Sequence, residues 1–252
     1  MPARSVKSNG PIGSTLFAEV HVWACMPSKS SSPVVRFLYE NSLLLTGTVL
    51  ILMTLAGQIF TGWHDYNNDL EQMKLPPLRL GQYLGSGHFL EATFENWESE
   101  FLQMGVYVLF TIWLRQKGSS ESKKLYEKEE VDREPAPSKP DAPGPVKRGG
   151  WQLWLYKNSL TWAFFLLFFL AFWLHAKGGA EVYSIEQQHE GKLGVTTVEY
   201  MSTTRFWFES FQNWQSEFLS IVAIVGLSIY LRQQGSPQSK PVDASHTDTG
   251  QS

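Results

Sequence analysis

Two stretches of the chain are apolar over the length of a membrane-spanning helix. Residues 43–60, LLLTGTVLILMTLAGQIF, contain no charged side chain, and residues 159–174, SLTWAFFLLFFLAFWL, contain five Phe and two Trp. At about 1.5 Å per residue the first covers roughly 27 Å, close to a hydrocarbon core of about 30 Å. The alternative, a buried core helix, needs a larger polar shell than this chain supplies. We therefore predict membrane-spanning helices over about 43–60 and 153–174.

Two further apolar stretches are shorter. Residues 101–114 and 218–231 are free of charge for fourteen residues each, which gives about 21 Å of helix, too little for a full crossing. Each helix must therefore begin earlier, and we predict spans over about 95–114 and 212–231. The predicted fold class is an all-α membrane protein with four transmembrane helices.

The chain repeats itself with a spacing of 117 residues. LYENSL at residues 38–43 returns as LYKNSL at residues 155–160, and FENWESEF at residues 94–101 returns as FQNWQSEF at residues 211–218. Between residues 94–118 and 211–235, thirteen of twenty-five positions are identical. A constant spacing of this kind indicates a tandem duplication. We predict two helix-loop-helix repeats, over residues 33–117 and 151–234.

Basic residues are distributed unevenly between the two sides of the predicted spans. The N-terminal region, the middle block and the tail are rich in Lys and Arg, whereas the two long loops hold five: Lys74, Arg79, Lys177, Lys192 and Arg205. The positive-inside rule then places both termini and the middle block in the cytoplasm and both loops outside. The two repeats are expected to be parallel, and the protein to be a multi-pass protein of the inner (plasma) membrane.

The mean hydropathy of −0.19 hides the fact that the polar residues are concentrated in three segments. Residues 118–150 carry five prolines and mixed charge, and residues 235–252 are similar. Such segments bury too little apolar surface to fold alone, so we predict a disordered cytoplasmic linker and a disordered tail. Residues 1–32 are predicted to be a disordered extension without a secretory signal, with Met26 as an alternative start of translation.

The repeated acidic and aromatic motif contains the candidate functional residues. They are Asn96, Trp97, Glu100 and Phe101 in the first copy and Asn213, Trp214, Glu217 and Phe218 in the second. On a helix the Asn and Glu of each copy share a face. One interpretation is anchoring and packing, because Trp is typical of the membrane interface. The others are a pair of glutamates that holds a proton or cation, and a surface that binds another protein.

Other chemistry has little support in the sequence. The histidines at 64, 88, 175 and 189 are expected in loops or at a helix end, without the close spacing that zinc ligands show. No phosphate-binding loop or nucleophile elbow is present in the sequence. We therefore predict no catalytic residues, no metal, no cofactor and no nucleic-acid partner, and we expect that the protein is not an enzyme.

Three segments resemble one known family. FLYENSLLLTGTVL, LGQYLGSGHFLEATFENWESEFLQ and FWFESFQNWQSEFL are similar to an uncharacterised family of small bacterial membrane proteins, domain of unknown function 6766. The resemblance covers roughly residues 36–240. It implies a four-helix protein of the bacterial inner membrane, and it brings no established activity or functional residues.

Two classes of function follow from these observations. The first is a non-catalytic structural or partner-binding membrane protein, whose partners are the lipid bilayer and either further copies of itself or another membrane protein. The alternative is a small transporter or channel that uses Glu100 and Glu217 in the outer leaflet. Inward-facing glutamates favour transport, and glutamates at the level of the lipid headgroups favour anchoring.

Overall fold

The computed structural model describes residues 32–250, and the regular secondary structure in that range is helical. The prediction for residues 1–32, including the alternative start at Met26, lies almost wholly outside the described residues. The helices are α1 (Pro33–Glu40), α2 (Ser42–Gln72), α3 (Leu80–Tyr83), α4 (Gly87–Trp113), α5 (Gly144–Arg148), α6 (Gly150–Lys157), α7 (Ser159–His189), α8 (Thr197–Tyr200) and α9 (Thr204–Tyr230). The all-α class is confirmed for the described part of the chain.

Two of these helices are long and apolar enough to cross a membrane. The most apolar eighteen-residue windows of α2 and α7 have mean hydropathies of 2.0 and 1.8. Within residues 32–250, α4 and α9 do not meet the same criteria of hydropathy and charge. Their N-terminal halves carry polar and acidic side chains, which lower the average. Four transmembrane helices therefore stay a prediction, whereas two candidate spans are present.

The long helices extend well beyond the predicted apolar spans. The helix α2 ends at Gln72 and α7 at His189, twelve residues beyond 60 and fifteen beyond 174. The helices α4 and α9 begin at Gly87 and Thr204, eight residues before 95 and 212. Hydropathy marks only the part of a helix that suits lipid, whereas backbone hydrogen bonding continues into the polar part. The extra turns carry most of the ionisable side chains described below.

Helix bounds recur with the spacing of 117 residues found in the sequence. Four pairs of helices begin 117 residues apart: α1 at 33 and α6 at 150, α2 at 42 and α7 at 159, α3 at 80 and α8 at 197, and α4 at 87 and α9 at 204. The N-caps also correspond, because Ser86 accepts a hydrogen bond from the Phe89 amide and Thr203 accepts one from the Phe206 amide. Capping by a hydroxyl satisfies an amide that the helix leaves free.

Local details of the two loops follow the same spacing. Lys74 and Gly191, which follow α2 and α7, both adopt positive φ angles of 59° and 73°. The amide of the following residue, Leu75 or Lys192, donates a hydrogen bond to the carbonyl oxygen five residues earlier, at Leu70 or Gln187. This is the hydrogen bond of a Schellman motif at a helix C-terminus. Each loop is also hydrogen-bonded to the helix before it. The Asn67 side chain bonds the backbone N–H and C=O of Leu78, and the Ser184 hydroxyl bonds those of Val195, eleven positions later in both cases.

The chain divides into two compact units, residues 1–58 and residues 59–252. In the first unit the described residues form α1 and the N-terminal part of α2. There most of the apolar side chains are exposed; Leu43, for example, is 89 % accessible. Large exposed apolar surfaces are unfavourable in water and favourable in lipid.

In the second unit, α4 packs most extensively against α7 and also contacts α9. Two aromatic clusters lie beneath the loops. One contains Tyr66, Leu70 and Tyr83, and the other contains Ala176, Ala180, Tyr200 and Phe206. These clusters fix the short helices α3 and α8 against the long helices.

The linker and the tail contain little regular structure. Residues 118–150 include a short 3-10 helix (Glu130–Asp132) and α5, and turns make up much of residues 233–250. Their predicted disorder and the predicted domain bounds stay predictions.

Candidate functional site

Small residues allow α4 and α7 to approach each other backbone to backbone. A Cβ atom added to Gly178 would lie 2.4 Å from the amide nitrogen of Glu91 and 2.6 Å from the carbonyl oxygen of Gly87. A Cβ atom on Gly87 would in turn lie 2.6 Å from the Gly178 carbonyl oxygen. Only glycine fits such a contact. The approach brings the acidic face of α4 directly onto α7.

A histidine and a glutamate meet in this interface without access to solvent. His175 Nδ1 on α7 lies 3.0 Å from Glu98 Oε2 on α4, and both side chains are 0 % exposed. The other oxygen of Glu98 accepts a hydrogen bond of 3.3 Å from Trp214 Nε1 on α9. This contact is a hydrogen bond from His175 to Glu98 when Nδ1 carries a proton, because a carboxylate only accepts. Three helices thus hold one buried carboxylate in a fixed orientation.

The second nitrogen of His175 faces another carboxylate. Nε2 lies 3.5 Å from Glu209 Oε2 on α9, yet within the described structure this buried nitrogen has no hydrogen-bond partner. Buried polar atoms are nearly always partnered. We therefore expect a proton or a bound ligand at Nε2, between the ring and Glu209.

Glu209 is held by α8 and α9. Its Oε1 accepts a hydrogen bond of 2.9 Å from Arg205 Nε, and its Oε2 accepts one of 2.7 Å from the Tyr200 hydroxyl. The same hydroxyl lies 3.3 Å from Glu91 Oε1. A tyrosine has one hydroxyl proton, so the contact with Glu91 is best satisfied when Glu91 is protonated and donates.

The acidic cluster, as we call it, comprises Glu91, Glu95, Glu98, Glu186 and Glu209 together with His175 and Arg205. Arg205 binds both Glu186 and Glu209 and lies 4.0 Å from Glu91. Four of the five glutamates and Arg205 line a cleft of about 280 Å³; these are Glu91, Glu95, Glu186 and Glu209. Five carboxylates thus face one guanidinium and one imidazole. The carboxyl groups therefore outnumber the basic side chains by three.

Two carboxyl groups outside the predicted spans titrate differently. Burial raises the pKa of Glu91 to about 7, and the Glu209 carboxylate adds to the rise, whereas Arg205 opposes it. Burial alone would also raise the pKa of Glu209, but interactions with His175, Tyr200 and Arg205 outweigh it and lower that pKa. The two groups therefore differ in charge near neutral pH: Glu209 is ionised and Glu91 is close to its midpoint.

Glu95, His175 and Glu209 are also a candidate metal-binding group. One ligand atom from each lies within 4.8 Å of the others. Imidazole nitrogen and carboxylate oxygen are ligands that zinc, manganese and iron accept in proteins. The histidine was expected in a loop or at a helix end, but it lies within α7, fourteen residues before its end.

The residues predicted from the repeated motif are placed differently. Trp214 contacts the cluster through its indole nitrogen, whereas Glu100 is exposed and Glu217 is half-buried. Asn96 bonds its own helix at Ala92 rather than a glutamate. The remaining predicted positions, Trp97, Phe101, Asn213 and Phe218, are half-buried or exposed. Their functional role stays a prediction.

Most residues of the acidic cluster were not predicted, although one signal was available. Glu91, Glu95 and Glu98 are spaced by four and three residues, so they share one helix face. A row of three carboxylates on a helix that begins outside an apolar span is a candidate site. The contributions of His175, Tyr200 and Arg205 depend on contacts between distant segments, which spacing along the chain does not show.

Comparison with known proteins identifies a family without an assigned activity. Neither the curated proteins nor the solved structures include a match to this chain. The sequence profile described as Domain of unknown function (DUF6766) matches residues 34–251, which is 218 of 252 residues. The resemblance inferred from the sequence is confirmed. The chain belongs to this domain-of-unknown-function family.

Proposed function

We propose that the chain is a multi-pass membrane protein built from two parallel helix-loop-helix repeats, with both termini in the cytoplasm of a bacterial cell. Three observations support this proposal. Helix bounds recur every 117 residues, two helices are long and apolar enough to span a bilayer, and Lys and Arg are scarce in the long loops. The bacterial inner membrane is what the family resemblance implies.

We further propose that the protein binds a cation in the acidic cluster, near the outward ends of its helices. The observation that carries this proposal is the excess of carboxyl groups around His175, among which Glu98 is fully buried and Glu91 is 8 % exposed. Moving an isolated carboxylate out of water costs several kcal/mol. Arg205 and His175 offset at most two of the five carboxyl groups, so protons or a bound cation would offset the charge of the buried ones that remain.

The proposed role is non-catalytic. It differs from the structural and transport hypotheses drawn from the sequence in the residues that carry it. The proposed cation site is the acidic cluster around Glu95 and Glu209 rather than the pair Glu100 and Glu217. Occupancy of the cluster would join α4, α7 and α9, which is a structural role. Transport is the second candidate, and the observation that favours it is the cleft of about 280 Å³ that leads to Glu95 and Glu209.

Thermal unfolding of the purified full chain in mild detergent tests cation binding. Melting temperatures are measured at pH 8 with Na⁺, Mg²⁺, Ca²⁺, Mn²⁺ or Zn²⁺ at constant ionic strength, and separately from pH 8 to pH 5.5. A cation at 100 times its Kd stabilises by about 2.7 kcal/mol, which corresponds to roughly 5–10 °C for a chain of this size.

The variants decide where the cation acts. We expect Glu209→Gln to lose most of the stabilisation and Glu71→Gln, an exposed residue of α2 outside the cluster, to keep it. If neither protons nor any of these cations stabilise the wild-type protein, the proposal is wrong. Uptake of the stabilising cation into reconstituted vesicles separates transport from binding alone.

A further inference from the structure

We propose that His175, Glu95 and Glu209 bind a divalent first-row transition-metal ion, with Glu98 as the hydrogen-bond acceptor that orients the histidine. This inference rests on the proposed cation-binding function and names the cation class. It would make the three helices α4, α7 and α9 ligand donors to one ion.

The orientation of His175 supports the assignment. Its Nδ1–H group faces Glu98 at 3.0 Å, so Nε2 is the ring atom at which a metal ion can replace a proton. That atom is buried, lacks a hydrogen-bond partner among the described residues, and lies 3.5 Å from a Glu209 oxygen. A bare lone pair that faces a carboxylate is repulsive, so a proton or a metal ion belongs at Nε2, and the metal ion would displace that proton on binding. Histidine ligands of metals commonly donate their other N–H to a carboxylate in this way.

The surrounding hydrogen bonds fix the ligands in place. Trp214 donates a hydrogen bond to Oε1 of Glu98, so the carboxylate that orients His175 cannot rotate freely. Arg205 occupies Glu209 Oε1, and the Tyr200 hydroxyl uses one acceptor position of Oε2. A carboxylate oxygen accepts two bonds. Oε2 of Glu209 therefore keeps one electron pair for an ion at Nε2.

Glu95 completes the set from α4. Two ligand atoms at about 2.1 Å from one ion are at most about 4.2 Å apart, whereas the three candidate atoms lie within 4.8 Å of one another. Nε2 and Glu209 are 3.5 Å apart, within this limit. The other separations exceed it by at most about 0.6 Å.

The ligand types select the ion class. One imidazole nitrogen and two carboxylate oxygens match zinc, manganese or ferrous iron. Calcium and magnesium prefer oxygen ligands throughout. Two of the three proposed ligands, Glu95 and Glu209, line the cleft, which gives the ion a route of entry to them.

Metal binding is measured on the full chain in detergent after treatment with a chelator and dialysis. Zn²⁺ binding is followed by calorimetry, Mn²⁺ binding by electron paramagnetic resonance, and retained metal by elemental analysis. We expect one ion per chain, at least 100-fold weaker binding in His175→Gln and Glu209→Gln, and 10- to 100-fold weaker binding in Glu98→Gln. The control Glu71→Gln should bind like the wild type.

A spectroscopic readout covers the case in which a variant does not fold. Co²⁺ added to the wild-type chain should give visible absorption bands and a paramagnetically shifted imidazole resonance, both absent when the chain is saturated with Zn²⁺. Less than 0.1 ion per chain, or equal affinities in His175→Gln and Glu71→Gln, would overturn the metal assignment. If protons or Ca²⁺ stabilise the protein while Zn²⁺ and Mn²⁺ fail to bind, this inference is wrong and the cation-binding proposal stands. If nothing stabilises it, both are wrong.

Discussion

His175 Nδ1 lies 3.0 Å from Glu98 Oε2, and neither side chain is exposed to solvent. The two residues are 77 positions apart in the chain and come from helices that meet at glycines. A buried, oriented carboxylate of this kind is costly unless all of its partners are present. The contact therefore links the packing of α4 on α7 to the chemistry of the acidic cluster.

Replacing Glu98 by Gln should lower the melting temperature. A glutamine offers one acceptor oxygen and one NH₂ group, so either Trp214 or His175 would face a donor instead of an acceptor. The loss is expected to be about 1–3 kcal/mol in the free energy of unfolding. The exposed Glu100→Gln is the matched control and should change stability by less than about 0.5 kcal/mol. Equal effects of the two substitutions would contradict the importance of the buried contact.

Glu91 should make stability depend on pH. Its pKa is raised from 4.5 to about 7 by burial and by Glu209, against the effect of Arg205. Between these two values the folded chain holds a proton that the unfolded chain has released, so stability falls as pH rises from about 4.5 to about 7. We expect a smaller fall in Glu91→Gln, measured as melting temperature against pH. A slope identical to that of wild type and of Glu71→Gln would argue against a raised pKa.

Gly178→Ala should destabilise the interface between α4 and α7. The added methyl group would lie 2.4 Å from the Glu91 amide nitrogen and 2.6 Å from the Gly87 carbonyl oxygen, both of them backbone atoms. Overpacking of this kind costs about 1–3 kcal/mol. Gly226→Ala on α9 meets nothing within 4 Å and should cause no loss. The comparison uses melting temperatures in detergent, and a Gly178→Ala protein as stable as Gly226→Ala would mean that the helices are not this close.

Labelling of single cysteines tests the predicted topology. Each cysteine is introduced in a Cys25→Ser background, at the exposed positions Lys74, Lys192 and Gln234. Because Lys and Arg are scarce in the two loops, a membrane-impermeant maleimide should label Lys74→Cys and Lys192→Cys in intact cells. Gln234→Cys should react only after permeabilisation. Labelling with the reverse pattern would exclude cytoplasmic termini.

The sequence alone predicted the helices better than the site. Apolar length marked α2 and α7 because this signal is local, whereas the predicted starts at 95 and 212 lie eight residues after the observed starts of α4 and α9. The repeated spacing likewise predicted which helices would correspond in length. All of these features depend on neighbours within one or two helical turns.

The acidic cluster depends on contacts that no local signal reports. His175 follows an apolar stretch and was expected near a helix end, yet α7 continues to His189. Which carboxylate meets its ring depends on the close approach at Gly178 and on the rotation of α4. The repeated motif predicted Glu100 rather than Glu98 as the functional glutamate. The two residues are two positions apart, so their side chains lie on opposite faces of α4.

The spacing of 117 residues also shows how the halves differ. Subtracting 117 from His175, Arg205 and Glu209 gives Gln58, His88 and Ala92, so the first half lacks all three side chains. An ancestor made of two separate identical copies would have displayed every such side chain twice, and an acidic pocket with it. Fusion into a single polypeptide releases that constraint. Each half now supplies a different part of one pocket, with Glu91, Glu95 and Glu98 in the first and the histidine, the arginine and Glu209 in the second.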